Sequence, residues 1–147
     1  MSKGCILCQI VKGKLPSYKI YEDDKVLGIL DIYPIAKGHC LVIPKKHIVW
    51  YTDLTKNDYE PFSKAMWIVA RKLKKTFKAR YVTILIRDTR IPHLHAHLVP
   101  GIKGEASAMD RILNFFQYIQ EHQKPVVSLA EMKKIAKAIK AANQLTA

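Results

Sequence analysis

The chain has 147 residues, a length that suits one domain with a core of its own and makes disulfide staples unnecessary. Apolar residues make up 49% of it, yet runs such as Met66–Ala70 fall well short of the roughly 20 a membrane helix needs; Met1–Cys5 has no apolar leader, so no membrane partner and a cytoplasmic location are expected. The formal net charge of +13 favours anionic ligands, phosphates included, while leaving open a merely solvated basic surface.

Cys5–Val11 reads as a short helical turn, broken by Gly13 and Pro16. Two strands follow, Lys19–Glu22 and Val26–Asp31, separated by the turn-forming Asp23-Asp24. Pro34–Gly38 is a loop, and His39–Pro44 is a strand stopped by its proline. Thr55 opens a helix, with Asp58 in the place a capping box gives to Glu. Phe62, Met66, Val69, Ala70, Leu73 and Phe77 keep the helical period to about Lys78. Tyr81–Ile86 is a β-branched strand, Arg87–Thr89 a polar turn, and Ile91–Val99 a strand ending at Pro100. Beyond Gly101 and Gly104 come two helical patterns, Ser107–Gln123 and Leu129–Ala142, divided by Pro125; Ser128 with Glu131 forms a capping box. The expected class is α+β, with residues 1–104 as the core domain and 105–147 as a helical extension.

The run Pro92-His93-Leu94-His95-Ala96-His97-Leu98-Val99-Pro100 carries the chemistry. Alternation along a strand puts His93, His95 and His97 on one face, about 7 Å apart, and Leu94, Ala96 and Leu98 on the core face. Imidazole is largely neutral near pH 7, so it can act as a nucleophile or hold a metal. The row is therefore a nucleophile with helpers, a metal site, or both. Cys5-x-x-Cys8 reads as a metal half-site or a redox pair, Cys40 as a small core residue, and His122 as solvent-facing.

Three blocks in order resemble the histidine-triad (HIT) family. They are Cys5-Ile6-Leu7-Cys8-Gln9-Ile10-Val11, then Leu30-Asp31-Ile32-Tyr33-Pro34 with Gly38-His39-Cys40-Leu41-Val42-Ile43-Pro44-Lys45-Lys46-His47, then His93–Val99. The resemblance, to the bacterial Hint-like type, covers residues 3 to about 101. It implies an α+β, HIT-like fold with a mainly antiparallel sheet of about five strands, and a homodimer. It implies cleavage of a purine nucleotide at its α-phosphate, with an amine, phosphate or sugar phosphate leaving. By that likeness His95 attacks the α-phosphorus and forms a nucleotidyl-histidine that water hydrolyses. His97 contacts the phosphate and assists the leaving group, His39 steadies and polarises the triad, and Asp31 accepts hydrogen bonds from the ribose diol. Ile6, Leu7, Ile10 and Ile29 form an apolar slot for the base, adjoined by Leu30 and Ile32; ordinary core packing is the competing reading for these. Cys5, Cys8, His47 and His93 match the ligands of a closed, structural zinc site. No organic cofactor is implied.

The chain departs from the family before the triad, where Ile84–Pro92 contains no Gly, Gln or Asn. Arg90 or Arg87 is the expected substitute as a clamp on phosphate. Gly101 stands where an Arg is common after the final proline; Lys103 is the nearest cation. Two alternatives stand beside the HIT reading. One is a phosphohydrolase whose catalytic metal is held by His93, His95 and His97. The other is a nucleotide- or RNA-binding module without catalysis, suggested by Arg71, Lys72, Lys74, Lys75 and Lys78 on one helix and Lys133, Lys134, Lys137 and Lys140 on another.

Overall fold

The computed structural model describes residues 4–86, 90–102, 118 and 128–141. Two compact units divide the chain, residues 1–109 and 110–147, and each is described by itself.

In the first unit, β1 (Lys19–Glu22), β2 (Val26–Leu30), β3 (Cys40–Pro44), β4 (Tyr81–Ile86) and β5 (Ala96–Gly101) form one sheet. Its order is β1-β2-β3-β5-β4, and every neighbouring pair is antiparallel. This is the expected α+β class with a five-stranded sheet. Asp23 makes the first turn: its Oδ1 accepts the amides of Lys25 and Val26 at 2.9 and 2.7 Å. The central strand β3 is buried along its whole length and splits its side chains between two apolar layers. Cys40 and Val42 enter one layer with Val26, Leu94, Ala96 and Leu98; Leu41 and Ile43 enter the other with Leu27 and Ile29.

Helix α2 (Lys56–Phe77) covers the first layer with Phe62, Ala65, Val69 and Leu73, the three-and-four spacing of one helical face. The short helix α1 (Ile6–Val11) covers the second with Leu7 and Cys8. Pro61 stands inside α2 and lacks the N–H that would bond Asn57 four residues back. Lys25 replaces it, its Nζ donating to the Asn57 carbonyl at 2.9 Å. At the other end α2 stops where Lys78 turns left-handed, with φ 49°.

Several boundaries differ from the sequence expectation. The expected strand Ile91–Val99 begins only at Ala96. Its partner β3 pairs over Cys40–Val42, opposite Ala96–Leu98, so there is no ladder for the earlier residues. They take a tight turn, with the His93 amide on the Ile91 carbonyl at 2.7 Å, and dock through the Leu94 amide on the Ile48 carbonyl at 2.7 Å. The faces still alternate, because Leu94 is wholly buried in the α2 layer. His39 precedes β3 rather than opening it. The Thr55–Asp58 pair makes half of the expected capping box: the Asp58 carboxylate accepts from the Thr55 backbone N–H, but the Thr55 hydroxyl donates to Asp58 Oδ2 at 2.7 Å and makes no side-chain cap to the backbone. Lys46 Nζ, 2.8 Å from the same oxygen, fixes the carboxylate there.

In the second unit, α3 (Leu129–Ala141) starts as expected, with the Glu131 amide on Ser128 Oγ at 3.2 Å. The helix expected over 107–123 lies, apart from Tyr118, outside the described residues, as do Arg87, Lys103 and His122.

Candidate functional site

The loop between β2 and β3 brings two polar residues to the sheet's α1 face. The Asp31 amide bonds the His39 carbonyl at 3.1 Å and the His39 amide bonds the Ala36 carbonyl at 3.1 Å, closing the loop. Gly38 allows this entry, with φ +81°; a Cβ there would also collide with the Phe77 ring. The Tyr33 amide orients the Asp31 carboxylate through Oδ1 at 2.8 Å. His97 lies on the same face, in register between Leu41 of β3 and Leu85 of β4.

These groups form a chain of hydrogen bonds. The Ile35 amide points at His39 Nδ1 at 3.3 Å, so that nitrogen presents a lone pair. The His39 proton then sits on Nε2, which faces His97 Nδ1 at 3.0 Å. His97 in turn carries its proton on Nε2. Burial holds the His39 imidazole below the ordinary histidine value, against an opposing pull from the Asp31 carboxylate 3.5 Å away. A neutral His39 at pH 7 fits this chain. Asp31, His39 and His97 also lie close enough to suggest a cation site.

His95 sits beside this chain, its ring centroid 5.0 Å from that of His97. It is 4% exposed. Its Nδ1 lies 2.7 Å from the His93 carbonyl. A carbonyl only accepts, so Nδ1 holds the proton and Nε2 holds the lone pair.

His93 belongs to a different group. Its Nδ1 lies 3.4 Å from the sulfurs of both Cys5 and Cys8 and 3.3 Å from His47 Nδ1, which is 3.3 Å from the Cys8 sulfur. All four ligand atoms lie within 4.8 Å of one another. The edges of a zinc tetrahedron with usual bond lengths are about 3.4 Å for N···N and about 3.6 Å for N···S. His93 Nε2 donates to the Pro44 carbonyl at 2.9 Å, the outer hydrogen bond that fixes a ligating imidazole. Burial lowers the His93 pKa, which keeps the ring neutral. Burial and the Cys5 sulfur raise that of Cys8, so a dication is what would convert this thiol to a thiolate. The cluster is compatible with a structural zinc ion. The three triad histidines are not gathered around one point, as the alternative of a shared catalytic metal requires.

Of the expected base slot, Leu7 and Ile29 are buried together in the α1 layer with Ile10 packed on it. Leu30 packs on the opposite, α2 layer, while Ile6 and Ile32 are exposed. Arg90 is exposed. Sequence reasoning missed the Ile35 amide and the Pro44 carbonyl, because no residue type announces what a backbone group will do.

Residues 12–104 match the family model described as the HIT domain. An uncharacterized HIT-like protein of Mycoplasma genitalium is 36% identical over 104 residues, 67% of this chain and 74% of that protein. A HIT family member from Bacillus subtilis has a similar structure, with a TM-score of 0.76 at 25% identity, covering 97% of this chain and 99% of that one. A zinc-bound histidine triad family protein from Mycobacterium smegmatis superposes with a TM-score of 0.67 at 36% identity, over 71% and 80% of the two chains.

Proposed function

The chain belongs to the HIT domain family, and on that footing we propose that it is a nucleotidyl hydrolase or transferase acting at the α-phosphate of a purine nucleoside phosphoramidate or dinucleoside polyphosphate. The observation that carries this reading is the 2.7 Å bond from His95 Nδ1 to the His93 carbonyl, which leaves the Nε2 lone pair as the nucleophile beside His97. Nε2 attacks the α-phosphorus, a P–N bond forms, and the bond to the leaving group breaks. The leaving group is steadied by a hydrogen bond from His97 Nε2–H and takes its proton from solvent, and His39 Nε2–H holds the His97 ring through its Nδ1. Water then attacks phosphorus, the P–N bond breaks to restore His95, and the water's proton passes to solvent. Asp31 would accept the ribose hydroxyls, Leu7, Ile10 and Ile29 would flank the base, with Ile6 and Ile32 at its margins, and Arg90 would meet the phosphates; Leu30, on the α2 layer, would take no part.

Cys5, Cys8, His47 and His93 would hold a zinc ion, which the zinc-bound relative supports. Four protein ligands would leave it no open position, so its contribution is to tie α1 to the segment that carries His95. Among the described residues β4 is an edge strand, and its exposed Ile84 and Leu85 support pairing with a second copy, testable by sedimentation. No described helix is long and apolar enough to cross a membrane.

The test is intact mass after incubation with a panel of adenosine and guanosine phosphoramidates and dinucleoside polyphosphates. The expected result is the gain of one nucleotidyl group, with turnover, by the native protein, and neither by His95→Asn, which keeps its bound metal. Turnover retained by His95→Asn overturns the reading.

A further inference from the structure

The solvent face of α2, outside the site above, presents Lys64, Trp67, Arg71, Lys74 and Lys78 at successive spacings of three or four residues, with Lys75 alongside. They form one stripe about 21 Å long at 1.5 Å per residue. Trp67 is 59% exposed, although indole is among the side chains most often covered. The Arg71 guanidinium lies 5.0 Å from its ring centroid and covers one side of the ring. Among the described residues, the lysine and arginine ion pairs engage Lys19, Lys45, Lys46 and Lys134, and none engages a cation of this stripe. Lys72, by contrast, is spent on the fold, donating to the Ile20 carbonyl at 3.1 Å.

Helix stability does not explain the stripe. Lys74 and Lys75 complement the C-terminal end of the helix dipole, but Lys64 and Arg71 lie too far from it. Arg71 with Lys75, and Lys74 with Lys78, are like charges four residues apart, a spacing that opposes the helix. Glu60 is the acidic residue that shares the face. Nor is α2 a membrane-surface helix, because its apolar side is already occupied: Phe62, Ala65, Val69 and Leu73 are in the core.

We propose that this face binds single-stranded nucleic acid, with the cations on successive phosphates and a base stacked against Trp67. Charge complementarity supplies the attraction. The exposed indole selects a single strand over a duplex, whose bases are already stacked on one another. The surface is independent of the nucleotidyl-transfer chemistry, and either can fail without the other.

Fluorescence anisotropy of the full chain with labelled oligothymidylate tests it. Each phosphate neutralised contributes about −0.7 to the slope of log affinity on log salt, so engagement of all five cations gives about −3.5, or roughly 100-fold between 50 and 200 mM. The variant Lys64→Glu/Arg71→Glu should lose at least tenfold in affinity and flatten the slope, with its thermal melting unchanged. The milder Lys64→Gln/Arg71→Gln should lose less, in the same direction. In a Trp50→Phe background the oligonucleotide should quench Trp67 emission, and Trp67→Ala should weaken binding by about tenfold, within the range for one stacked base. Absence of binding at low salt, equal affinity in the charge variants, equal or tighter binding of a duplex, or unquenched Trp67 would each overturn the proposal. So would binding to phosphatidylserine vesicles that oligothymidylate does not displace.

Discussion

His39 shows how one buried side chain couples the site to pH. Burial lowers its pKa in the folded protein, so below the ordinary value of about 6.5 the unfolded chain takes up a proton that the folded chain refuses. Its contribution to stability is therefore complete above that pH and is lost as pH falls toward the folded value. Urea unfolding at pH 7.5 and pH 5.5 should show a smaller pH-dependent loss for His39→Asn than for the native chain; an identical loss would contradict this. Gly38 makes the neighbouring demand on the backbone. Gly38→Ala must hold a Cβ at positive φ and against the Phe77 ring. We expect a cost of about 1–3 kcal/mol in chemical denaturation, with turnover reduced through displacement of His39. The sequence named His39 as a site residue through its motif, but the direction of its proton depends on the Ile35 amide. That relation follows from how the loop closes, which residue identity does not specify.

At the scale of elements, α2 depends on a side chain from outside it. If Lys25 serves the carbonyl that Pro61 leaves open, Lys25→Met should cost about 1 kcal/mol in the native background. In a Pro61→Ala background the cost should fall toward zero, because the restored amide can serve Asn57 itself. A double-mutant cycle with no coupling would show that Lys25 and Pro61 act separately. The strands were legible to different degrees for a physical reason. The bounds of β1 and β4 match the expected residues because turn formers or changes of pattern mark their ends. The start of β5 does not, because an apolar–histidine alternation reads the same in a strand and in an extended segment. What decides is the partner, and β3 offers no partner before Ala96. The Thr55–Asp58 pair was legible in part: the carboxylate reaches the Thr55 amide as a capping box requires, but the hydroxyl turns to that carboxylate instead of the backbone.

For the whole molecule, the cluster of Cys5, Cys8, His47 and His93 joins the start of the chain to two distant segments. Only its first half was visible in the residues themselves, as Cys-x-x-Cys; the two histidines came from family likeness, since ligands so far apart in sequence obey no spacing rule. Purified protein should carry one zinc per chain by elemental analysis. Removing it, or making Cys8→Ser, should lower the melting temperature by roughly 10 °C, as expected for a ligand present at about a thousand times its dissociation constant. Turnover should fall only as far as the His95 segment shifts. An unchanged melting temperature after complete metal removal would exclude a structural role.

Helix α1 spans only Ile6–Val11, too short to persist in water by its own hydrogen bonds. Its anchorage is Leu7 in the apolar layer and the two sulfurs at Cys5 and Cys8. Release of the ion would therefore be felt first as fraying of this end, loosening the backbone at the exposed Lys12 and Lys14 for trypsin while the sheet stays resistant. With an ion bound, the N-terminal segment would act as a latch whose closure reports on the state of the distant imidazoles.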